Sequence, residues 1–271
     1  MNDKAAKFRG RDRYTFDDLC EIMTILRGEG GCPWDREQTH KSIRNSFIEE
    51  TYEAVEGIDN DDMALLREEL GDVMLQVVFH SEMERERGVF DINDVITDEC
   101  KKLVSRHPHI FAEAKAETSD EVLDAWDKIK AKEKARKTTG QKLRSIPASL
   151  PALMRADKLG VISKKAGFDF GSAGEAFDKI VEETEEVRAE MKSGNSYRLT
   201  EELGDLLLAV VNTARLCGVD SERALSLACD KYCRRYERLE EAVAAAGKTT
   251  DELDMAELDR VWDTIKAEDV K

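Results

Sequence analysis

Residues 68–78 read EELGDVMLQVV and residues 201–211 read EELGDLLLAVV, an offset of 133 residues. At the same offset Glu49-Glu50-Thr51 falls on Glu182-Glu183-Thr184, and Glu53 falls on Glu186. Lys102 and Arg106 match Lys231 and Arg235 at an offset of 129, and Trp126-Asp127-Lys128-Ile129-Lys130 resembles Trp262-Asp263-Thr264-Ile265-Lys266 at 136. Matches in one order, with small drifts, mark a duplicated unit. A chain of 271 residues can hold two such units, each with its own core. The expected division is 1–137, a linker over 138–151 with two prolines and a glycine, and 152–271.

Each unit reads as helical. Charged residues are 37% of the chain, aromatics only 6%, and prolines number four, a mix that suits amphipathic helices better than β-sandwiches. The 3.6-residue period predicts helices over 15–27, 38–58, 62–87, 92–106 and 119–136, then 150–164, 173–192, 196–217, 220–246 and 250–268. Thr15, Ser119 and Ser172, each followed by acids, are expected N-caps. No segment reads as a strand, so the fold class is all-α, as two tandem helical bundles.

The acids of the repeat follow a rule of their own. Glu50 and Glu53 share one helix face, as do Glu69 and Asp72 on the next helix. The midpoint of Glu53 and Glu69 is residue 61, and so is that of Glu50 and Asp72. One bend at Asn60-Asp61 therefore sets the two pairs opposite each other. In the second copy Glu186 with Glu202, and Glu183 with Asp205, both centre on Gly194, inside the turn signal Ser193-Gly194-Asn195-Ser196. Each hairpin gathers four carboxylates about 12 Å from its bend, at 1.5 Å of rise per residue. The neighbours read as apolar: Val73, Leu75, Val77 and Val78 in one copy, Leu206, Leu208, Val210 and Val211 in the other. Four ionised carboxylates beside apolar side chains need a counter-charge. A hard divalent cation supplies it, and without clustered histidines or thiols Mg²⁺ or Mn²⁺ fits best. A solvated acidic face is the alternative for one EExxE run, but the mirror-symmetric placement occurs twice. A di-iron bundle would need ExxH pairs, and neither copy has a histidine three residues after a motif glutamate.

Charge and cysteine usage bound the partners. A net charge of −16 disfavours nucleic acid and anionic membranes, yet admits a phosphate substrate through a bridging cation. The six cysteines form no CxxC pair; Cys229 and Cys233, at i, i+4, read as a helix face. No apolar run is long enough for a membrane span and the first residues lack a signal-peptide core, so a reduced cytoplasmic setting is expected.

With these residues in hand, the chain resembles the MazG family along nearly its whole length. EExxE followed by ExxD is that superfamily's metal motif. Gly31-Cys32-Pro33-Trp34-Asp35, Arg106-His107-Pro108-His109-Ile110-Phe111 and Lys165-Ala166-Gly167-Phe168-Asp169 resemble further family blocks. The resemblance implies an all-α homodimer that hydrolyses nucleoside triphosphates to monophosphate and pyrophosphate, with broad base tolerance and a housecleaning role. It implies metal ligation by Glu183, Glu186, Glu202 and Asp205, and by Glu50, Glu53, Glu69 and Asp72 in the first copy. Glu182, beside Glu183, is a candidate for a second metal or for orienting the water. Lys179, Arg198, Lys231, Arg235 and Lys266 are candidates for the triphosphate, and Trp262 for the base or for helix packing. His107 and His109 read as part of a turn at Pro108. A helical scaffold without catalysis, or a dUTP- or dCTP-specific pyrophosphatase of the same superfamily, fits the same motifs.

The copies differ in cations: Lys179 falls on Ser46 and Arg198 on Leu65, with Arg44 and Arg67 two residues away. That difference predicts the second copy as the main catalyst.

Overall fold

The computed structural model describes residues 3–112, 118–119, 121–122, 125–126, 129 and 138–269. The chain forms two compact units, Met1–Glu133 and Lys134–Lys271. The first holds α1 (Phe16–Arg27), α2 (Pro33–Glu37), α3 (Arg44–Asp59), α4 (Met63–Arg87), α5 (Ile92–Arg106) and α6 (Pro108–Phe111). The second holds α7 (Thr139–Arg144), α8 (Ala152–Lys165), α9 (Ala173–Ser193), α10 (Ser196–Leu216), α11 (Ser221–Ala245) and α12 (Met255–Glu268). Among the described residues there is no strand.

Local chemistry sets the boundaries. The Thr15 hydroxyl accepts from the Asp18 N–H while the Asp18 carboxylate accepts from the Thr15 N–H, which opens α1. The Ser172 hydroxyl accepts from the Glu175 N–H and opens α9. The helix expected from residue 38 starts at Arg44 instead. The Thr39 and Ser42 side chains each accept from the other's backbone N–H, a local turn that competes with the helix. The helix expected from 250 begins as a 3-10 turn over Thr250–Glu252 and becomes α12 only after the Asp254 cap. The segment expected as a linker carries α7, which packs on α8, and Ile146 beyond it is buried. Pro108 starts the short α6 rather than a plain turn, since proline suits a first helical position. The helix expected over 119–136 falls largely outside the described residues, as do Asp127, Lys128 and Lys130; at its start Thr118, not Ser119, accepts from the Glu121 N–H.

In each unit the best-packed pair is an antiparallel hairpin, α3 with α4 and α9 with α10. The first bends at Asn60-Asp61-Asp62, where Asp61 takes φ 54° and the Asp62 carboxylate accepts from the Ala64 and Leu65 N–H groups. The second bends at Gly194, φ 72°, and the Asn195 side chain accepts from the Arg198 N–H. The core of the first unit is Met23, Ile43, Val78, Phe79 and Met83; the second unit has a cluster of Leu239, Val243 and Ile265. Of the apolar residues expected around the acids only Val78 and Val211 are buried, and Leu208 and Val210 are exposed. A two-helix hairpin covers one face, so its other face stays open within the unit.

Candidate metal centre

α3 and α4 bring Glu50, Glu69 and Asp72 together, with one carboxylate oxygen from each within 4.8 Å of the others. α9 and α10 do the same for Glu183, Glu186 and Glu202. Glu53 and Asp205 stand outside these triplets, and both are exposed. They still act through charge: Glu53 disfavours ionisation of Glu50 and Glu69, and Asp205 disfavours that of Glu202.

Burial first, then neighbouring acids, push the Glu50 and Glu69 carboxyls above the ordinary range. Burial, followed by a hydrogen bond with Glu186, does the same to Glu202. Glu69 is 7% exposed and its Oε2 is buried with no hydrogen-bond donor. Such an atom is costly unless something positive reaches it. A hard divalent cation with oxygen ligands fits this donor set, and the same chemistry holds for Glu183, which is 5% exposed.

The cations separate into two groups. The Lys179 Nζ lies 2.7 Å from Glu182 Oε1 and 2.6 Å from Glu183 Oε1, joining both acids from one turn below. Hydrogen bonds to Glu182 and then Glu183 hold its ammonium well above the ordinary range. Its counterpart in the first copy is Ser46, so Glu50 has no such neighbour on its own helix. Arg198 is exposed beside the bend, with its backbone N–H in the Asn195 cap. The remaining candidates lie on α11 and α12. Arg235 Nε donates to Asp269 Oδ2 at 2.7 Å, and Lys266 pairs with Asp263 at 2.9 Å. Lys231 is exposed. Trp262 packs on the Leu239–Val243–Ile265 cluster, its ring 5.2 Å from Tyr232. The structure thus joins Lys179 to the carboxylates and gives Arg235, Lys266 and Trp262 partners of their own on α11 and α12.

Sequence reasoning missed Arg215. Its guanidinium binds both oxygens of Asp169, the last residue of the Lys165–Asp169 block, and also reaches Asn212 Oδ1 at 3.1 Å. A Cβ at Gly160 would lie 2.6 Å from Arg215 Nε, so glycine makes room for it. The clasp ties the α8–α9 connection to α10, the helix that carries Glu202. Asp169 pointed to it only as part of a block, and spacing does not reveal a partner 46 residues away.

Comparison with known proteins agrees with this arrangement. The model of the MazG nucleotide pyrophosphohydrolase domain matches twice, at residues 38–111 and 174–239, and each match contains one carboxylate hairpin. A nucleoside triphosphate pyrophosphohydrolase from Escherichia coli K12 is 44% identical over 94% of this chain and 98% of its own length. The nucleoside triphosphate pyrophosphohydrolase/pyrophosphatase MazG of Thermotoga maritima is 40% identical over 94% of this chain and 96% of its own. A nucleoside triphosphate pyrophosphohydrolase from Mycobacterium tuberculosis is 38% identical over 55% of this chain and 45% of its own. Among the described residues no helix is long and apolar enough to cross a membrane. With the family domain present in both halves and whole-length similarity to such enzymes, the chain belongs to the MazG nucleotide pyrophosphohydrolase family.

Proposed function

We propose that this protein hydrolyses nucleoside triphosphates to nucleoside monophosphate and pyrophosphate with Mg²⁺, or Mn²⁺ in its place, chiefly at its second copy. The observation that carries this reading is the carboxylate triplet built by each hairpin, with oxygens within 4.8 Å of one another, in a chain of this family. The names of the E. coli and T. maritima relatives support the substrate class. Glu183, Glu186, Glu202 and Asp205 would hold the metal, and Glu50, Glu53, Glu69 and Asp72 form the equivalent set. When bound, the cation supplies positive charge to the phosphoryl oxygens and acidifies the attacking water.

The chain's own residues do the rest. Glu182, tethered by Lys179 beside Glu183, is placed to orient the water or take its proton. Lys179 and Arg198 are the cations of the hairpin available to the triphosphate. Lys231, Arg235, Lys266 and Trp262 take part once the ion pairs and packing seen on α11 and α12 rearrange around the nucleotide. A candidate site whose groups, Trp262 apart, are carboxylates and cations supports base tolerance, and with it a housecleaning role in the cytoplasm. The net charge of −16 supports a protein that binds neither nucleic acid nor anionic membrane.

A homodimer is supported by the hairpins themselves. Ile48, Leu70 and Met74 are exposed in the first copy, and Val181, Leu203 and Leu207 are exposed at the same repeat positions in the second. An apolar stripe kept open twice in one register calls for a covering helix pair.

The test is product analysis with Mg²⁺ across the common ribo- and deoxyribonucleoside triphosphates. Monophosphate with pyrophosphate is expected for several bases. Diphosphate with orthophosphate overturns the cleavage site, turnover of dUTP or dCTP alone overturns the broad specificity, and no turnover with no Mg²⁺ binding leaves a helical scaffold.

A further inference from the structure

The chain has four histidines, all in the first unit, and two of them, His40 and His80, face each other outside the carboxylate triplet, ten residues before Glu50 and eight after Asp72. His40 lies in the connection between α2 and α3, and His80 lies on α4. Their Nδ1 atoms are 2.7 Å apart, and the rings meet edge to edge and nearly coplanar, with centroids 5.0 Å apart and planes 9° from parallel. The other nitrogen of His40, Nε2, is 2.6 Å from Glu84 Oε1, one turn along α4. Glu84 is 6% exposed and also accepts from Arg87 at 2.5 Å. The Phe47 ring closes over His80 at 5.6 Å.

We propose that His40 and His80 form an acid-sensitive clasp that pins the α2–α3 connection to α4 and opens when both rings are protonated.

Proton counting carries the argument. His40 Nε2 faces a carboxylate, so it bears a proton and donates. A short Nδ1···Nδ1 contact needs one proton between two nitrogens. With both rings neutral, His80 Nδ1 donates to the bare Nδ1 of His40, and the contact is satisfied. One added proton is also accommodated: either ring becomes the cation, the other Nδ1 accepts, and Glu84 lies beside the charge. A second added proton leaves two N–H groups pointing at each other and two cations edge to edge. The hydrogen bond that holds the connection is then lost, and Glu84 neutralises only part of the charge.

Among the described residues the hydrogen bonds of the two rings reach one carboxylate, Glu84; Asp35 and Glu37 of α2 bond neither ring. On α4, Arg87 adds positive charge to the Glu84 side of the cluster. Glu82 is bound to Arg85, and Glu86 to Arg27 of α1. On α3, the Arg44 guanidinium turns to the Asn45 side chain, and Lys41 beside His40 is a further cation. On α5, Asp91 and Asp94 are engaged in the capping box of that helix. Burial first, and then His40, hold the His80 ring below its ordinary range, in the same direction as the proton count. A histidine whose folded pKa lies below its unfolded one contributes stability present above the unfolded value, near ~6.5, and lost as pH falls below it. Hydrogen bonding by His40 keeps Glu84 ionised across that window. The clasp therefore holds at neutral pH and loosens in weak acid, freeing the segment that leads into α3.

Hydrogen exchange of the full-length protein tests this. Peptides spanning 38–47 are followed at pH 7.5 and pH 5.5, with rates corrected for intrinsic exchange. The wild type is expected to lose protection about fivefold in acid, the factor carried by one hydrogen bond. His80→Gln keeps a donor for His40 Nδ1 without titrating, and its loss should stay under about twofold. Unchanged wild-type protection, or an equal loss in the variant, overturns the clasp. The imidazole ¹³C resonances of the wild type give a reading that does not depend on the variant folding. The His80 ring is expected to titrate below the ordinary histidine range; titration of His80 at or above ~6.5 overturns the proposal.

Discussion

At Gly57 the backbone of α3 lies against the start of α4, and replacing it by alanine tests the hairpin directly. An added Cβ would lie 2.8 Å from Leu66 N, 3.0 Å from Leu66 Cα and 3.2 Å from Leu66 Cβ. The nearest atoms are backbone at the start of α4, where no side-chain rotation relieves the clash. The helices must separate by several tenths of an ångström, one turn from Glu53. Overpacking of this kind costs about 1–3 kcal/mol. Alanine is the better helix former by about 1 kcal/mol in a helix interior, and by less in the last turn of α3, where Gly57 sits. The expected net is a loss of about 1–2 kcal/mol from the first unit. The second copy has Glu190 at this repeat position, so the duplication does not demand glycine; the tight bend at Asn60–Asp62 does. The assay is urea denaturation of the full chain, read by hydrogen exchange of α4 peptides so that the second unit does not blur the result. A gain approaching ~1 kcal/mol, the helix-propensity effect unopposed, would refute the close approach.

Three other outcomes are expected. The second unit contains no histidine, so carboxylates set its stability between pH 7 and 5. The raised Glu202 pKa means the folded state binds the extra proton. Stability of the metal-free α10 region, read by exchange protection, should therefore rise as pH falls from 7 toward the ordinary carboxylate range, and saturating Mg²⁺ should remove the rise; a fall over that window without Mg²⁺ contradicts the assignment. Asp169→Asn leaves the Arg215 side chain, 8% exposed, without its carboxylate and should cost the second unit about 1–3 kcal/mol in denaturation; an unchanged midpoint would mean that solvent already carries that charge. Glu183→Gln should reduce pyrophosphate release roughly 100-fold or more with helicity retained, whereas Glu50→Gln in the same full-length chain should keep most of it; equal losses would end the case for unequal copies.

The hairpins were legible because their information is local and repeated. Residues 61 and 194, the midpoints of the acid pairs, fall in the bends the structure adopts, and the chemistry of those bends is written in Asp61-Asp62 and Gly194-Asn195. Capping at Thr15 and Ser172 was legible for the same reason, since a cap bonds only two or three residues on. Periodicity was less informative where side chains make their own turn. The apolar-periodic stretch from residue 38 includes Thr39 and Ser42, whose mutual bonds delay α3 to Arg44.

What was not legible depends on partners distant in the chain. Arg235 and Lys266 look alike in sequence to Lys179, each a cation near the repeat's motifs. Lys179 meets Glu182 and Glu183 because an i, i+4 step on one helix brings it there. Arg235 meets Asp269 because α12 folds back on α11, across 34 residues. The same distinction separates the two acids left outside the triplets. Spacing along the helices places all four carboxylates of a hairpin toward one another, and it does so equally in both copies. Which three converge is not written in that spacing, and the copies differ there: the first leaves out Glu53 on its leading helix, the second Asp205 on its trailing one. One motif written twice therefore yields two related but unequal sites. Lys179, present at only one of them, makes that inequality chemical as well as geometric.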